Sequence, residues 1–274
     1  MVERVMNQMP IYLAFAKNSF LRILAYRLRY YSGILNYLFF VSVYYFIWQA
    51  VFANQGADFL INGFSLSEMV AYVAVGWIAR SFYFSNIDHE INDLVQTGQV
   101  TIYLLRPVNF QVMMLFQAAG ESLFRLCFFS VPVGIVIFVL FPISGPSSFA
   151  YLLLFALSTL LGFLIFAAVN FLVGLLAFSL QSILGVMRAK SSIIQLCSGL
   201  LLPIPFFPGW AQSILHALPF KSIAYTPLMF YLGKIPQDEI LWILGQQFVW
   251  AAVLLLLGHY CWSRALAKIV LQGG

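Results

Sequence analysis

Long apolar runs alternate with short polar connections along this chain. Six of the runs are long enough to cross a hydrocarbon core of about 30 Å as helices that rise about 1.5 Å per residue. The alternation at about ten-residue spacing that marks a membrane β-barrel is absent from the sequence. The pattern therefore predicts an all-α polytopic membrane protein, a single transmembrane domain over residues 1–274, with spans near residues 30–52, 66–85, 122–141, 149–178, 191–207 and 240–262.

Composition excludes a soluble domain. The chain is 62% hydrophobic and only 8% charged, and its mean hydropathy is +0.93. A soluble protein of this length needs a far more polar surface. The three cysteines are isolated in apolar stretches without metal-ligand spacing, so we expect them to be packing residues and predict no metal site.

The basic residues indicate which side of the membrane each connection faces. Six spans put both termini on one side of the membrane. The positive-inside rule places the side that is richer in lysine and arginine in the cytoplasm. The connections at 53–65 and 142–148 hold no lysine or arginine. We therefore predict cytoplasmic termini. The net charge of +5 then follows from topology and predicts no nucleic-acid partner. The basic residues assigned to the cytoplasm include Arg4, Lys17, Arg22, Arg27, Arg29, Arg188, Lys190, Arg264 and Lys268.

The segment before the first span has a helical pattern. Leu13, Phe20 and Leu24 recur on one face, and Asn18 and Arg22 lie on another. This pattern predicts an amphipathic helix within residues 1–29 that lies at the cytoplasmic interface near lipid phosphates. The alternative is an ordinary positively charged lead-in to a span.

The connection between the second and third spans is unusually polar. Its sequence over residues 88–109 is DHEINDLVQTGQVTIYLLRPVN, with three carboxylates. Asp88 and Glu90 fall in the first turn of a predicted helix, where the dipole favours negative charge. Gly98 is placed to end that helix in the left-handed conformation. A second short element, residues 100–105, stops at the Arg106–Pro107 pair.

An apolar ridge runs along the first of these two helices. Ile87, Ile91, Leu94 and Val95 share one face, and the carboxylates and amides lie around the rest. A protein partner would account for both, because apolar side chains fill a groove while charges at the rim set the register. The alternative is a self-contained loop that folds against its own helices.

The segment TGQVTIYLLRPVN resembles the (R/T)G-x-(L/V)-x-x-x-L-L-R-P-(V/L)-(N/S) segment of the ABC-2 (type-2) permeases, in particular a prokaryotic subfamily formerly catalogued as a domain of unknown function. The resemblance covers nearly the whole chain and implies a prokaryotic inner (plasma) membrane protein. It also implies that loop 87–109 carries a coupling helix that docks on a separate ATPase subunit. By match, the coupling positions are Ile87, Asp88, Glu90, Ile91, Asp93, Leu94, Gly98, Arg106 and Pro107.

No phosphate-cradling GxxxxGK[ST] loop occurs in the chain. We therefore predict no cofactor in this chain, with ATP and Mg²⁺ bound by the partner ATPase. Because six spans make half a transporter, the expected partners are two copies of an ABC ATPase, a second permease that is identical or related, and membrane lipids. His89, His216 and His259 lie far apart, and no catalytic set of acid, base and nucleophile is evident, so we predict no enzymatic activity.

Three charged residues are predicted to form an intramembrane cluster. Glu121 and Arg125 are one helical turn apart, and Arg80 lies in the cytoplasmic half of the second span. Charges at such depth are costly unless they are paired or hydrated. Two roles stay open, an ion pair that locks the second and third spans together and a contact with the transported substrate.

A proline-rich apolar segment follows the fifth span. Pro203, Pro205 and Pro208 are predicted to break that span, since proline lacks the amide donor. Two short helices split at Pro219 would each reach about half-way across the core. We predict a re-entrant hairpin over residues 203–233 that enters from the outer face and acts as an exit gate, or alternatively an interfacial hairpin that stiffens the outer face.

These features predict the permease subunit of an ABC exporter, forming half of a dimeric pathway. An aromatic and aliphatic lining favours an amphipathic or lipid-linked substrate. The alternative function is a non-transporting membrane scaffold or passive channel whose polar loop recruits another cytoplasmic protein.

Overall fold

The computed structural model describes residues 8–25, 28–53, 56, 59–141, 143–180 and 182–272. These ranges contain helices and turns, with no β-strand beyond an isolated bridge between Ile61 and Phe64. The all-α prediction is therefore confirmed for the described residues. The α-helices are α1 (Met9–Ala25), α2 (Leu28–Phe52), α3 (Leu66–Tyr83), α4 (Ile87–Gln96), α5 (Val100–Leu104), α6 (Phe110–Arg125), α7 (Val131–Leu140), α8 (Phe149–Gly174), α9 (Leu184–Cys197), α10 (Gly209–Ala217), α11 (Tyr225–Tyr231) and α12 (Ile240–Gln272).

Four helical stretches among the described residues are long and apolar enough to cross a membrane. They are Leu35–Phe52, Phe110–Leu140, Phe149–Phe178 and Ile240–Leu266. The other two predicted spans correspond to shorter or more polar helices. Helix α3 has 18 residues and carries Glu68 and Arg80, and α9 has 14 residues. At about 1.5 Å per residue, α9 covers about 21 Å. The chain is thus a multi-pass helical membrane protein.

Two predicted span boundaries are corrected. The third span begins at Phe110 rather than near 122, and α6 continues through a π-helical turn at Leu126–Ser130 into α7. Glu121 and Arg125 therefore lie well inside this helix. Pro132 stands at the start of α7 and has no amide to donate, which accounts for the wider turn before it.

The fifth predicted span, 191–207, is displaced toward the N-terminus. Helix α9 ends at Cys197, and Gly199 follows with φ +79°. The prolines at 203, 205 and 208 therefore do not break this helix, because it has already ended. Pro203 and Pro208 instead precede the 3₁₀ turn Ile204–Phe206 and helix α10 in extended conformations.

Helix α8 is the centre of the bundle. It contacts α3, α4, α11 and α12, and it contributes fully buried aromatic residues such as Phe171 to the core. A polar contact inside the bundle joins two of its helices to the 203–233 segment. Gln247 of α12 accepts a hydrogen bond from Ser158 Oγ at 2.8 Å and donates to the carbonyl of Ser222 at 2.8 Å. These bonds fix α8, α12 and the 203–233 segment to one another.

The 203–233 segment forms two unequal helical arms. A 3₁₀ turn that begins at Pro219 separates α10 from α11, at the division that the sequence predicted. Helix α10 is exposed along one side, where Trp210 is 72% exposed. Helix α11 is buried from Thr226 to Tyr231 between α3 and α8. The second arm is therefore part of the core.

The N-terminal helix packs by a different face from the predicted one. Tyr12, Ser19 and Ile23 are buried, while Leu13 is 56% exposed. This buried face lies on α6, and Gly120 allows the two backbones to approach closely. Of the predicted interface helix, Arg4 lies outside the described residues, as do the side chains of Arg27 and Arg29.

Candidate coupling site

Helix α4 is the first of the two predicted elements in loop 87–109. Asp88 and Glu90 lie in its first turn, where the helix dipole favours their charge. After the cap residue Thr97, Gly98 adopts φ +71°, a conformation that other residues adopt at a cost. The chain then turns into α5. Local sequence alone accounts for this helix and its end.

The apolar ridge of α4 faces into the chain. Ile87 and Ile91 are 1% and 0% exposed, and Leu94 and Val95 are half-buried against the same core. Gly174 of α8 makes room for the ridge, since a Cβ there would lie 2.9 Å from Ile91 Cδ1. The two isoleucines therefore attach α4 to α8 rather than facing outward, which is the arrangement of a loop folded on its own helices.

A buried ion pair holds the start of α4. Lys190 Nζ of α9 lies 2.7 Å from Asp88 Oδ2, and the Asp88 side chain is 1% exposed. The same ammonium donates to Asn170 Oδ1 at 2.6 Å. Asn170 in turn donates to the carbonyl of Ser85 at 2.7 Å, just before α4. Helices α4, α8 and α9 thus share one polar network.

A second network runs along the other side of α4. Arg22 of α1 contacts both Glu90 and Glu121, with Nη2–Oε1 distances of 3.0 and 2.7 Å. Glu121 also pairs with Arg125, at 3.5 Å. Arg125 then donates to the Ser81 carbonyl at 2.9 Å and to the Phe84 carbonyl. These two carbonyls belong to the open C-terminal end of α3, so Arg125 satisfies groups that the helix itself cannot.

Arg80 does not join this cluster. In the described part of the chain it forms no ion pair, and its guanidinium lies over the rings of Trp77 and Phe84, 5.4 and 5.0 Å from their centroids. The predicted cluster of three is therefore corrected. Arg22, from a helix about a hundred residues away in sequence, takes the place assigned to Arg80.

Glu90 has an unusual protonation equilibrium for an ion-paired carboxylate. Burial and the nearby negative charge of Glu121 raise its pKa from the ordinary 4.5 to about 7, although Arg22 acts in the opposite direction. The folded chain therefore holds this proton more tightly than the unfolded chain does. The resulting stabilisation is complete below about pH 4.5 and is lost as the pH rises through about 7.

We expect Glu90→Gln to flatten the dependence of thermal stability on pH between these two values. The variant lacks the titrating carboxyl, so folding no longer takes up the proton, about one per chain, that Glu90 binds in this pH range. The measurement is the melting temperature of the purified chain across this range, with Asp93→Asn, an exposed carboxylate on the same helix, as the matched control. An unchanged pH profile in Glu90→Gln would contradict the assignment of this proton to Glu90.

The return from the loop is held by the N-terminal helix. The Arg106 guanidinium lies over the rings of Tyr103 and Phe15, at 4.9 and 5.7 Å from their centroids. Gln8 Nε2 donates to the Pro107 carbonyl at 2.6 Å. The amide of Asn109, which caps α6, donates to Tyr12 Oη at 2.9 Å. Arg106 and Pro107 thus contact the N-terminal segment, at Phe15 of α1 and at Gln8 just before this helix.

The exposed residues of the loop include both apolar and polar or charged side chains. Ile102 and Leu105 are 54% and 87% exposed, and His89, Asp93 and Arg106 are also exposed. We call these five residues the coupling surface. Its two apolar side chains lie on the second element, α5 and its cap, whereas the sequence had placed the apolar contact on the ridge of α4.

Sequence reasoning missed the partners of Asp88 and Glu90, two of the three carboxylates in α4. Arg22, Lys190 and Asn170 carried no local motif, and the only signal was their polarity in a chain with few charges. It also missed the ion pair between Glu68 and Lys234, at 2.8 Å, which ties the start of α3 to the end of the 203–233 segment. Among the described residues, no group of three histidine, cysteine or acidic side chains could hold a metal ion.

Comparison with known proteins adds one result to this geometry. The family model described as "ABC-2 family transporter protein" matches residues 38–273, which is most of the chain. No curated protein matches the chain significantly. The match includes α4, the coupling surface and every helix from α3 to α12.

Proposed function

Since this chain belongs to the ABC-2 family of transporter proteins and is therefore the membrane permease component of an ABC transporter, we propose that loop 87–109 is where the permease is driven by a separate ABC ATPase. ABC-2 permeases normally work with such an ATPase. In this proposal the ATPase binds the ATP and Mg²⁺. Two ATPase copies and a second permease, identical or related, complete the transporter.

One observation carries the proposal. Helix α4 is tied on one side to α9 and α8 through Asp88 and Lys190, and on the other to α1 and α6 through Glu90 and Arg22. A force on the loop therefore reaches four other helices through charged contacts rather than bending a free loop. Arg125 extends the connection to the end of α3. In this proposal Arg125, paired with Glu121 on the same helix, locks the second and third spans together through the Ser81 and Phe84 carbonyls, and neither charge contacts the substrate.

The proposal extends to the remaining parts of the transport cycle. The chain crosses the inner membrane of a prokaryote six times, with α3 and α9 as the two shorter spans and both termini in the cytoplasm. ATP-driven closure of the ATPase pair moves α4 and its attached helices together. The 203–233 segment, whose arms flank Pro219, opens on the outer side as an exit gate for an amphipathic or lipid-linked substrate.

The coupling surface is tested by adding charge to its apolar part. We expect the double variant Ile102→Asp with Leu105→Asp to lose co-purification of the ATPase by about tenfold or more, because two carboxylates would have to be buried at the contact. The measurement is the amount of P-loop ATPase recovered with the tagged permease in mild detergent. Ile91→Asp is unsuitable here, because Ile91 is buried and the variant would disturb folding.

Leu60→Asp is the matched control, since Leu60 is 56% exposed but lies in the connection before α3, at the opposite end of that helix from α4. It should retain the ATPase. Recovery of the ATPase with the double variant at the level of the control would contradict the coupling surface. The absence of any P-loop ATPase from the wild-type preparation would contradict the wider proposal and favour a scaffold.

A further inference from the structure

A cleft lies between the 203–233 segment and the last helix. Its volume is about 380 Å³, and both hairpin arms and α12 contribute to its walls. The walls mix polar and aromatic groups. The residues used below are His216, Lys221, Tyr225, Thr226, Trp242 and Gln246.

Lys221 is the group in this cleft that the fold itself does not explain. Its side chain is half-buried, and it forms no ion pair with any carboxylate in the ranges that the structure describes. Its polar neighbour is His216 Nδ1, at 3.5 Å, which carries no negative charge. A half-buried ammonium without a counter-charge is unfavourable, so the cleft favours an anionic guest.

Two other charged groups line the cleft, Lys234 and Glu239. Lys234 is held by Glu68 and by the carbonyl of Gly63, each at 2.8 Å. Glu239 is exposed and forms no ion pair with Lys221. Among the described residues that line the cleft, Lys221 is therefore the cation that remains available to contact a ligand.

The rest of the wall suits the uncharged part of an amphiphile. Trp242 is 75% exposed, and an indole ring packs well where apolar and polar groups meet. Thr226 and Gln246 add a hydroxyl and an amide group to the lining of the cleft. Polar donors, one cation and one exposed aromatic ring are the elements that recognise a charged headgroup attached to an apolar chain.

We propose that this cleft binds the anionic headgroup, a phosphate or carboxylate, of an amphiphilic molecule, with Lys221 as the charge contact. The proposal that an anionic headgroup binds rests on the residues of the cleft alone. The assignment of the guest as cargo at the exit gate rests on the proposed transport function.

The test is ligand-dependent thermal stability of the purified, delipidated chain in an uncharged detergent. The probes are dihexanoyl phosphatidylglycerol, dihexanoyl phosphatidylcholine and inorganic phosphate. A ligand that binds the folded state raises the melting temperature by mass action. We expect phosphatidylglycerol to stabilise the wild type more than phosphatidylcholine does. Lys221→Gln should raise the apparent Kd for phosphatidylglycerol about tenfold, as the loss of one charge-assisted contact predicts, and so reduce the rise in melting temperature.

Two variants make the result specific. Lys221→Arg should retain binding, and Lys17→Gln, which removes an exposed lysine of α1, should leave it unchanged. Stabilisation by inorganic phosphate that equals that by phosphatidylglycerol, and that is lost in Lys221→Gln, would assign the site to a free anion. It would overturn the proposal that the ligand is an amphiphile. Equal binding by Lys221→Gln and the wild type would overturn the site itself. The assay contains neither ATP nor ATPase, so its failure and that of the coupling proposal are distinguishable.

Discussion

Lys190→Met is expected to lower the melting temperature by about 10 °C, the largest effect that we predict for a single charged residue. The substitution leaves Asp88 buried without its counter-charge, and breaking a buried pair in this way costs about 3–5 kcal/mol. The Asp88 side chain is 1% exposed, and its second oxygen, Oδ1, already has no hydrogen-bond partner among the described residues. We therefore expect α4 to separate from α9, with weaker ATPase binding as a consequence.

The control is Arg188→Met, which removes an exposed cation from the same helix and should change the melting temperature little. The double variant Asp88→Asn with Lys190→Met should recover part of the loss, because it removes the unpaired charge. Melting of Lys190→Met at the wild-type temperature would show that the pair does not hold the loop.

Gly120→Ala is the second substitution that we expect to have a large effect, a loss of stability. A Cβ at this position would lie 2.0 Å from the carbonyl oxygen of Ala16, and that oxygen belongs to the backbone of α1. Backbone cannot rotate away as a flexible side chain can, so α1 must move from α6. Overpacking of this kind costs about 1–3 kcal/mol or more. The displacement would also separate Arg22 from Glu121, so ATP hydrolysis by the partner should become less coupled to the permease.

Gly185→Ala is the matched substitution. Gly185 lies near the start of α9, and a Cβ added there would have no neighbour within 4 Å, so alanine should be neutral or slightly stabilising. Melting temperatures and permease-dependent ATPase rates of the two variants provide the comparison. Equal behaviour of Gly120→Ala and Gly185→Ala would mean that α1 need not lie close to α6.

The loop at 87–109 shows how far the sequence alone reaches. The helix Ile87–Gln96, its end at Gly98 and the second element at 100–105 were all predicted, because each depends on residues within a few positions of one another. The sequence did not predict that the apolar ridge of α4 faces the other helices of the chain. Periodicity identifies which face of a helix is apolar, but a helix of another part of the chain and a separate protein cover such a face equally well.

The predicted span boundaries were wrong for a related reason. The sequence assigned the end of α9 to prolines, which are strong local signals, whereas the helix ends earlier, at Cys197, just before Gly199. Gly199 is required there by contacts with α11 and α3, since an added Cβ would meet Tyr225 at 2.9 Å and Tyr72 at 3.2 Å. A single sequence does not reveal that approach.

By itself, the sequence determined that this is a multi-pass helical membrane protein, that it resembles ABC-2 permeases, and that one polar loop is exceptional. Each of these follows from composition, hydropathy or a contiguous motif. The tertiary structure decided which charges meet, because Arg22 and Glu121 are 99 residues apart and Asp88 and Lys190 are 102 apart. Such pairs depend on how helices pack, and packing is set by close contacts such as those at Gly120 and Gly174, which no local pattern encodes.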